Sequence, residues 1–170
     1  MAFLSNLFSR KVAPRDHLRP LYDAIIALGR DPKWYRNGVP DTIDGRFEVI
    51  TAILAHVLLR LEQDADARAT SAYLTEVFID DMDAQLRQSG VGDLMVGKHI
   101  GTMMGALGGR LGAYRLATNA AERSAALERN LGMPGDGSLD RAGEDLHQLA
   151  LSLAQAPVAA ILAGQLPRVA

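Results

Sequence analysis

The stretch from Asp44 to Leu61 reads DGRFEVITAILAHVLLRL, and it decides the fold class. Its apolar residues recur every three or four positions, which is the spacing that places side chains on one face of a helix. A strand would instead alternate apolar and polar residues. The resulting apolar stripe is wide, as is typical of a helix that faces a protein core. Its members are Phe47, Ile50, Leu54, Val57 and Leu61, with Ile53 and Leu58 at the sides.

The rest of the chain keeps the same helical period. We expect helices over residues 17–28, 44–61, 67–88, 93–117, 120–131 and 139–155, followed by a short apolar turn at 158–162. Prolines and glycines stand at several of the predicted ends, where they start or stop helices. A chain of 170 residues fits one domain, and no long linker divides it. The prediction is an all-α fold, a single-domain bundle of six or seven helices spanning residues 16–170.

Composition argues against several functional classes. The sequence contains no cysteine, so it has no disulfide, no thiol nucleophile and no thiolate metal site. A formal net charge of -2, without a Lys/Arg run, argues against a nucleic-acid partner. The four histidines fall on different predicted helices, and the motifs of serine hydrolases and phosphate-binding loops do not occur. We therefore expect a cytoplasmic, non-enzymatic protein without a metal or cofactor.

The first fifteen residues differ from the rest of the chain. No stretch of the sequence is apolar for long enough to cross a membrane, but this segment spaces apolar residues as one helix face and follows them with basic residues. We expect peripheral contact with the inner membrane through residues 1–15. A frayed terminus, or a helix packed onto the body, is the alternative. The membrane-contact candidates are Phe3, Leu4, Leu7, Phe8, Arg10 and Lys11.

The segment Trp34 to Glu48 has the composition of a shaped loop. It combines two aromatic residues, two glycines and a proline immediately before the core helix. Trp34 and Tyr35 are its concentrated apolar groups. We expect one of three side chains to cap the helix that follows, and a basic residue beside them to pair with a carboxylate. The cap candidates are Asp41, Thr42 and Asp44, and the basic residue is Arg46.

An acidic block, Asp80, Asp81 and Asp83, lies within a predicted helix. Divalent cations prefer oxygen-rich loops, so we expect these carboxylates to act as charges and not as metal ligands. Like charges one turn apart repel, and a basic partner would offset that repulsion. The partner is either internal or a positively charged segment of another protein. The internal candidates are Arg46, Arg60, Arg87 and Lys98.

Six glycines mark the predicted helix 93–117. At 100° per residue they fall within one arc of about 120°, next to an arc of large apolar residues. Each glycine costs about 1 kcal/mol relative to alanine inside a helix, so the pattern requires a reason. We favour close packing against another helix of the domain; the alternatives are a groove for a foreign helix, and a break in the helix near Gly108. The six are Gly97, Gly101, Gly105, Gly108, Gly109 and Gly112.

Three blocks together resemble the ubiquinol-cytochrome c chaperone family. They are the segment 34–48, the acidic block with the Leu86-Arg87 pair after it, and the segment 90–98, and the resemblance extends from about Leu21 to about Leu116. Members of that family assist the assembly of cytochrome b into respiratory complex III. The resemblance thus implies a chaperone whose client is the membrane protein cytochrome b, with a small second subunit as a further candidate partner.

On this interpretation the client-binding candidates come from the resembling blocks and the glycine arc. They are Trp34, Tyr35, Asp41, Asp44, Arg46, Asp80, Asp81, Asp83, Lys98, Gly101 and Gly105. The alternative is a helical small-ligand-binding protein or enzyme that uses the segment Trp34 to Glu48 as a pocket. Such a site needs titratable groups that converge on a cavity. The two interpretations therefore differ in whether the charged residues of this segment surround a cavity or only cap the helix.

Overall fold

The computed structural model describes residues 17–168, which form eight helices and no strand. The expected all-α fold is confirmed, and the long helices begin and end within a few residues of their predicted bounds. The membrane-contact candidates in residues 1–15 lie outside the described residues. The helices are α1 Arg19–Gly29, α2 Lys33–Arg36, α3 Ile43–Glu62, α4 Arg68–Gln88, α5 Asp93–Leu116, α6 Ala120–Leu131, α7 Asp140–Gln155 and α8 Val158–Leu162.

Helix α3 is the centre of the bundle. It packs against α1, α4, α5, α6 and α7. Every residue from Thr51 to Leu58 is buried, so this part of the helix is enclosed on all sides and not only along the predicted stripe. A helix that is apolar all round is the expected occupant of such a central position.

The start of α3 is held by the segment before it. The Thr42 side chain accepts a hydrogen bond from the Gly45 amide at 3.1 Å and so caps the helix. Of the three cap candidates, Thr42 is therefore the one that caps, and Asp44 is not. The predicted pairing of Arg46 with a carboxylate is confirmed, since its Nε lies 2.7 Å from Asp41. A side chain at Gly45 would place its Cβ 1.9 Å from the carbonyl oxygen of Pro40.

The short helix α2 occupies part of the segment that we predicted to be a loop. Asp31 accepts a hydrogen bond from the Lys33 amide at 2.8 Å just before the helix turns. Trp34, on this turn, is 1% exposed, and its indole N–H donates to the Leu28 carbonyl at 2.8 Å. Burial of this ring, with its one polar atom satisfied, fixes the turn against α1.

The glycine arc of α5 contradicts our favoured interpretation. A Cβ added at any of the six positions meets no atom within 4 Å, so no described helix packs closely on this face. Helix α5 also runs unbroken through Gly108, which removes the proposed break. Its contacts with the bundle come from the neighbouring apolar arc, where Val96, Leu107 and Tyr114 are buried. The prediction of internal packing was wrong, and the groove for a foreign helix remains a prediction.

Close backbone packing does occur at a different glycine. A Cβ on Gly143 of α7 would lie 2.7 Å from both the Ala120 carbonyl oxygen and the Ser124 amide nitrogen of α6. The two helices form an antiparallel pair, and Gly132 ends α6 in the left-handed region with a φ of 64°. The absence of a side chain at position 143 therefore allows the backbones of α6 and α7 to approach closely.

A buried ion pair connects three helices. Arg110 of α5 donates through Nε to Glu48 of α3 at 2.8 Å, and its Nη2 donates to the same carboxylate oxygen. Asn130 of α6 donates to the other Glu48 oxygen at 2.8 Å. Glu48 is 1% exposed and Arg110 is 8% exposed, so the pair is largely shielded from water.

None of the described helices is both long enough and apolar enough to cross a membrane.

Candidate functional site

An open cleft of about 860 Å³ lies between the first three helices and the C-terminal half of α4. Its floor is apolar because side chains at the edge of the core are left partly uncovered there. Helix α5 contributes one methionine to it. The apolar floor consists of Ile26, Phe47, Ile50, Met82, Leu86 and Met103.

The rim of this cleft carries charges. Asp41 and Arg46 form a solvent-exposed pair, and the hydrogen bond from Arg46 holds the pKa of the Asp41 carboxyl below its usual range. Asp44, in the first turn of α3, stands beside them and places negative charge at the helix N-terminus. Asp81 of α4 and Arg30, just after α1, also line the cleft.

Tyr35 forms one wall of the cleft. Its hydroxyl donates to the Gly29 carbonyl at 3.1 Å, and partial burial raises the pKa of its phenol. Trp34, next to it in the sequence, points into the core and does not line the cleft. The two neighbouring aromatics therefore have different roles, and only Tyr35 presents a surface that a bound molecule can reach.

Asp81, another lining residue of the cleft, is fixed in place by two hydrogen bonds. It accepts hydrogen bonds from the Tyr22 hydroxyl at 2.9 Å and from Gln85 Nε2 at 2.8 Å. Burial of the Tyr22 ring raises the pKa of its phenol, so this group stays a hydrogen-bond donor at physiological pH. The bond joins α1 to α4 and fixes the position of Asp81 at the cleft.

The acidic block separates in the structure. Asp81 turns toward the cleft, whereas Asp83 lies 2.7 Å from Arg87 one turn later and Asp80 is exposed on another side of α4. Arg87 also pairs with Asp93 at the start of α5. Of the four internal candidates for a basic partner of the block, Arg87 has that role for Asp83.

The cleft thus brings together five of the sequence-predicted residues. Lys98, Gly101 and Gly105 lie on exposed positions of α5 and do not line it. The floor residues were not predicted as site residues, because their helical spacing indicates burial and gives no sign that one edge stays uncovered. The five are Tyr35, Asp41, Asp44, Arg46 and Asp81.

Of the four charged residues that an enzyme pocket in this segment would bring together, Asp41, Asp44 and Arg46 line the cleft and Glu48 does not. Glu48 was expected to converge with Asp41, Asp44 and Arg46 if the segment formed an enzyme pocket, but it is buried beneath them and bound to Arg110. Among residues 17–168, no group of three or more histidine or acidic side chains is placed to hold a metal ion. An apolar floor with a charged rim suits the binding of another molecule.

The fold defines a class, an all-α single-domain helical bundle, and the cleft gives it an open apolar surface. Residues 36–166 match the ubiquinol-cytochrome C chaperone family, and the chain belongs to that family. The match continues through α6 and α7, well past Leu116, where the resemblance seen in the sequence ended. Membership implies a non-enzymatic role as a chaperone in the assembly of ubiquinol-cytochrome c reductase.

The chain is also similar to a solved structure described as the crystal structure of the Cbp3 homolog from Brucella abortus. The TM-score is 0.75 and the sequence identity is 27%, and the similarity covers 89% of this chain and 88% of the other. A comparison with proteins of curated function finds no match.

Proposed function

We propose that this chaperone binds cytochrome b and that the cleft holds an apolar segment of that client during assembly. The observation that carries the proposal is the uncovered apolar floor between α3 and α4 in a chain of this family. A membrane protein that awaits assembly exposes apolar helices, and such a surface must be covered reversibly to prevent aggregation.

The chemistry of the floor suits reversible binding. Met82 and Met103 are unbranched and polarizable, so they adapt to the shape of different apolar side chains. Ile43 lines the cleft and is 87% exposed, so a large apolar side chain is accessible there. Exposure of this side chain places apolar surface where an approaching segment makes first contact.

The rim supports a preference for basic segments. Three carboxylates and two guanidinium groups line the cleft, which leaves one net negative charge. The partial charge of the α3 N-terminus reduces its effect, so attraction at the rim contributes to orientation and association rate more than to affinity. We therefore expect the bound client segment to carry Lys or Arg beside its apolar residues.

The experiment that tests this proposal compares two exposed residues. The tagged chain is used to recover proteins from a membrane-containing lysate, and cytochrome b is quantified by mass spectrometry. Ile43→Ser at the cleft should reduce cytochrome b recovery several-fold. Leu94→Ser is the matched control, since Leu94 is 91% exposed but does not line the cleft. Failure of the parent chain to recover cytochrome b would refute cytochrome b as the client. Equal recovery by both variants would refute the cleft as the binding site.

We also propose peripheral contact with the inner membrane through residues 1–15. Apolar residues Phe3, Leu4, Leu7 and Phe8 precede Arg10 and Lys11, a pattern that combines insertion with attraction to anionic lipid. Anionic vesicles should therefore retain the protein, and added salt should weaken retention. Co-sedimentation that is unchanged by deletion of residues 2–11 would contradict the proposal.

A further inference from the structure

A second cleft of about 520 Å³ lies on another part of the surface, between the C-terminal half of α3, the end of α5, the start of α6 and α7. It shares no lining residue with the first cleft. We call it the basic cleft because basic and hydrogen-bonding side chains dominate its polar lining. These are His56, Arg60, Tyr114, Arg115, Arg123 and His147.

Arg123 is buried and forms no direct ion pair with a carboxylate among residues 17–168, although the exposed Glu122 beside it in the sequence attracts its charge. It is 7% exposed, its Nε donates to His56 Nε2 at 3.3 Å, and its Nη1 donates to the Asn119 carbonyl at 3.0 Å. Both acceptors are uncharged. Burial of an arginine in this way is costly unless an anion balances it, and buried charges in proteins are ordinarily paired.

His56 positions Arg123 and does not neutralise it. Its Nδ1 lies 2.7 Å from the Ala52 carbonyl oxygen, which can only accept, so Nδ1 carries the proton and Nε2 is left to accept from Arg123. His56 is 4% exposed, and burial lowers its pKa to about 4, so the ring stays neutral at physiological pH. The guanidinium is thus held at the basic cleft by two uncharged acceptors, with no carboxylate in direct contact.

Two further polar atoms at this cleft are buried without a hydrogen-bond partner in the described part of the chain. They are the Tyr114 hydroxyl oxygen and Nδ1 of His147. Tyr114 is 2% exposed, and its ring packs against the His56 ring with centroids 4.6 Å apart. Buried hydroxyl groups are nearly always hydrogen-bonded in folded proteins, so a group in this position indicates a partner that comes from outside the chain.

The formal charge of the lining indicates the kind of partner. Arg60, Arg115 and Arg123 contribute three positive charges, and Glu62, which lies 2.7 Å from Arg115, contributes one negative charge. These arginine and glutamate side chains alone give the lining a formal excess of two positive charges. A ligand with two negative charges balances this excess, and oxygen acceptors match the guanidinium and phenol donors.

We propose that the basic cleft binds a small, doubly charged oxyanion, of the phosphate or dicarboxylate kind, held by the Arg123 guanidinium and the Tyr114 hydroxyl. Arg115 and Arg60 stand at the same cleft and add attraction. Arg60 also donates to the Leu153 and Ala156 carbonyls at the end of α7, so it is held in place for this role. The inference is independent of cytochrome b binding.

The test uses the full-length chain and isothermal calorimetry at constant ionic strength. Inorganic phosphate and succinate are the two probes, and sodium chloride of equal ionic strength is the blank. At least one probe should bind with a stoichiometry near one. Tyr114→Phe should weaken that binding roughly tenfold, which is typical for the loss of one hydrogen bond to a charged group. Arg123→Gln should weaken it more.

Two controls separate binding from folding. Arg141→Gln removes one positive charge from α7 at an exposed position outside the basic cleft, and it should leave binding unchanged. Tyr114→Phe removes a hydroxyl that has no described protein partner, so its circular dichroism and its unfolding temperature without ligand should match or exceed those of the parent. Absence of binding for both probes, or parental binding by Tyr114→Phe, would overturn the proposal.

Discussion

The exposed glycine arc of α5 leads to a prediction with an unusual sign. Replacing Gly101, Gly105 and Gly108 together by alanine should stabilise the protein. A Cβ at each position meets open space, so no steric cost opposes the gain from restricting the unfolded chain. Each replacement inside a helix is worth about 0.8 to 1.0 kcal/mol, and the triple variant should gain about 2 to 3 kcal/mol.

This gain is large enough to measure. For a chain of this length, 1 kcal/mol moves the unfolding temperature by roughly 2 to 4 °C, so the triple variant should unfold about 5 to 10 °C higher. Differential scanning calorimetry and urea denaturation both report the change. The matched control is Gly143→Ala, the same replacement inside α7, where the new Cβ would lie 2.7 Å from backbone atoms of α6. That variant should lose about 1 to 3 kcal/mol by overpacking.

Destabilisation of the triple variant would refute the reasoning, because it would mean that the arc packs against part of the chain. The same variant also tests the remaining interpretation of the arc. If the glycines form a groove for a foreign helix, the added methyl groups should lower cytochrome b recovery while stability rises. Unchanged recovery would remove the glycine arc from client binding.

Two further predictions concern buried ionisable groups. Glu48→Leu leaves Arg110 buried without its counter-charge and should cost about 3 to 5 kcal/mol in urea denaturation. The Glu48→Leu/Arg110→Leu double variant should recover most of that loss. If the single variant unfolds at the same urea concentration as the parent, the buried ion pair does not stabilise the fold as argued. For His56, the folded pKa of about 4 lies below the unfolded value near 6.5, so the unfolded state binds the proton first. The stabilisation from its burial is therefore complete above pH 6.5 and should fall by roughly 3 kcal/mol as the pH drops to 4. The free energy of unfolding should depend less on pH in the His56→Gln variant than in the parent. Equal slopes of unfolding free energy against pH for the two proteins would refute this prediction.

Local chemistry was enough to predict several features of the site. Thr42 caps α3 and Arg46 pairs with Asp41, both within a few residues along the chain, so their geometry follows from backbone spacing. The partner of Asp83 is Arg87, one helical turn away, for the same reason. Interactions at this range do not depend on how the helices pack.

The residues of the basic cleft show why other features could not be predicted. His56 and Arg123 are 67 positions apart, and Tyr114 and His147 lie on two further helices. No periodic pattern distinguishes them from ordinary residues of a helix face. Their common property, buried polar atoms around one cavity, exists only after α3, α5, α6 and α7 have packed.

The sequence by itself determined the helical period, the order and approximate bounds of the long helices and the family, because each depends on local spacing or on contiguous motifs. Tertiary structure decided which faces are covered. Trp34 became a core residue, while the floor beneath Tyr35 and the glycine arc of α5 stayed open. An amphipathic pattern indicates that a face will be buried, but the partner, and any edge left uncovered, depend on the packing angles of helices distant in the chain.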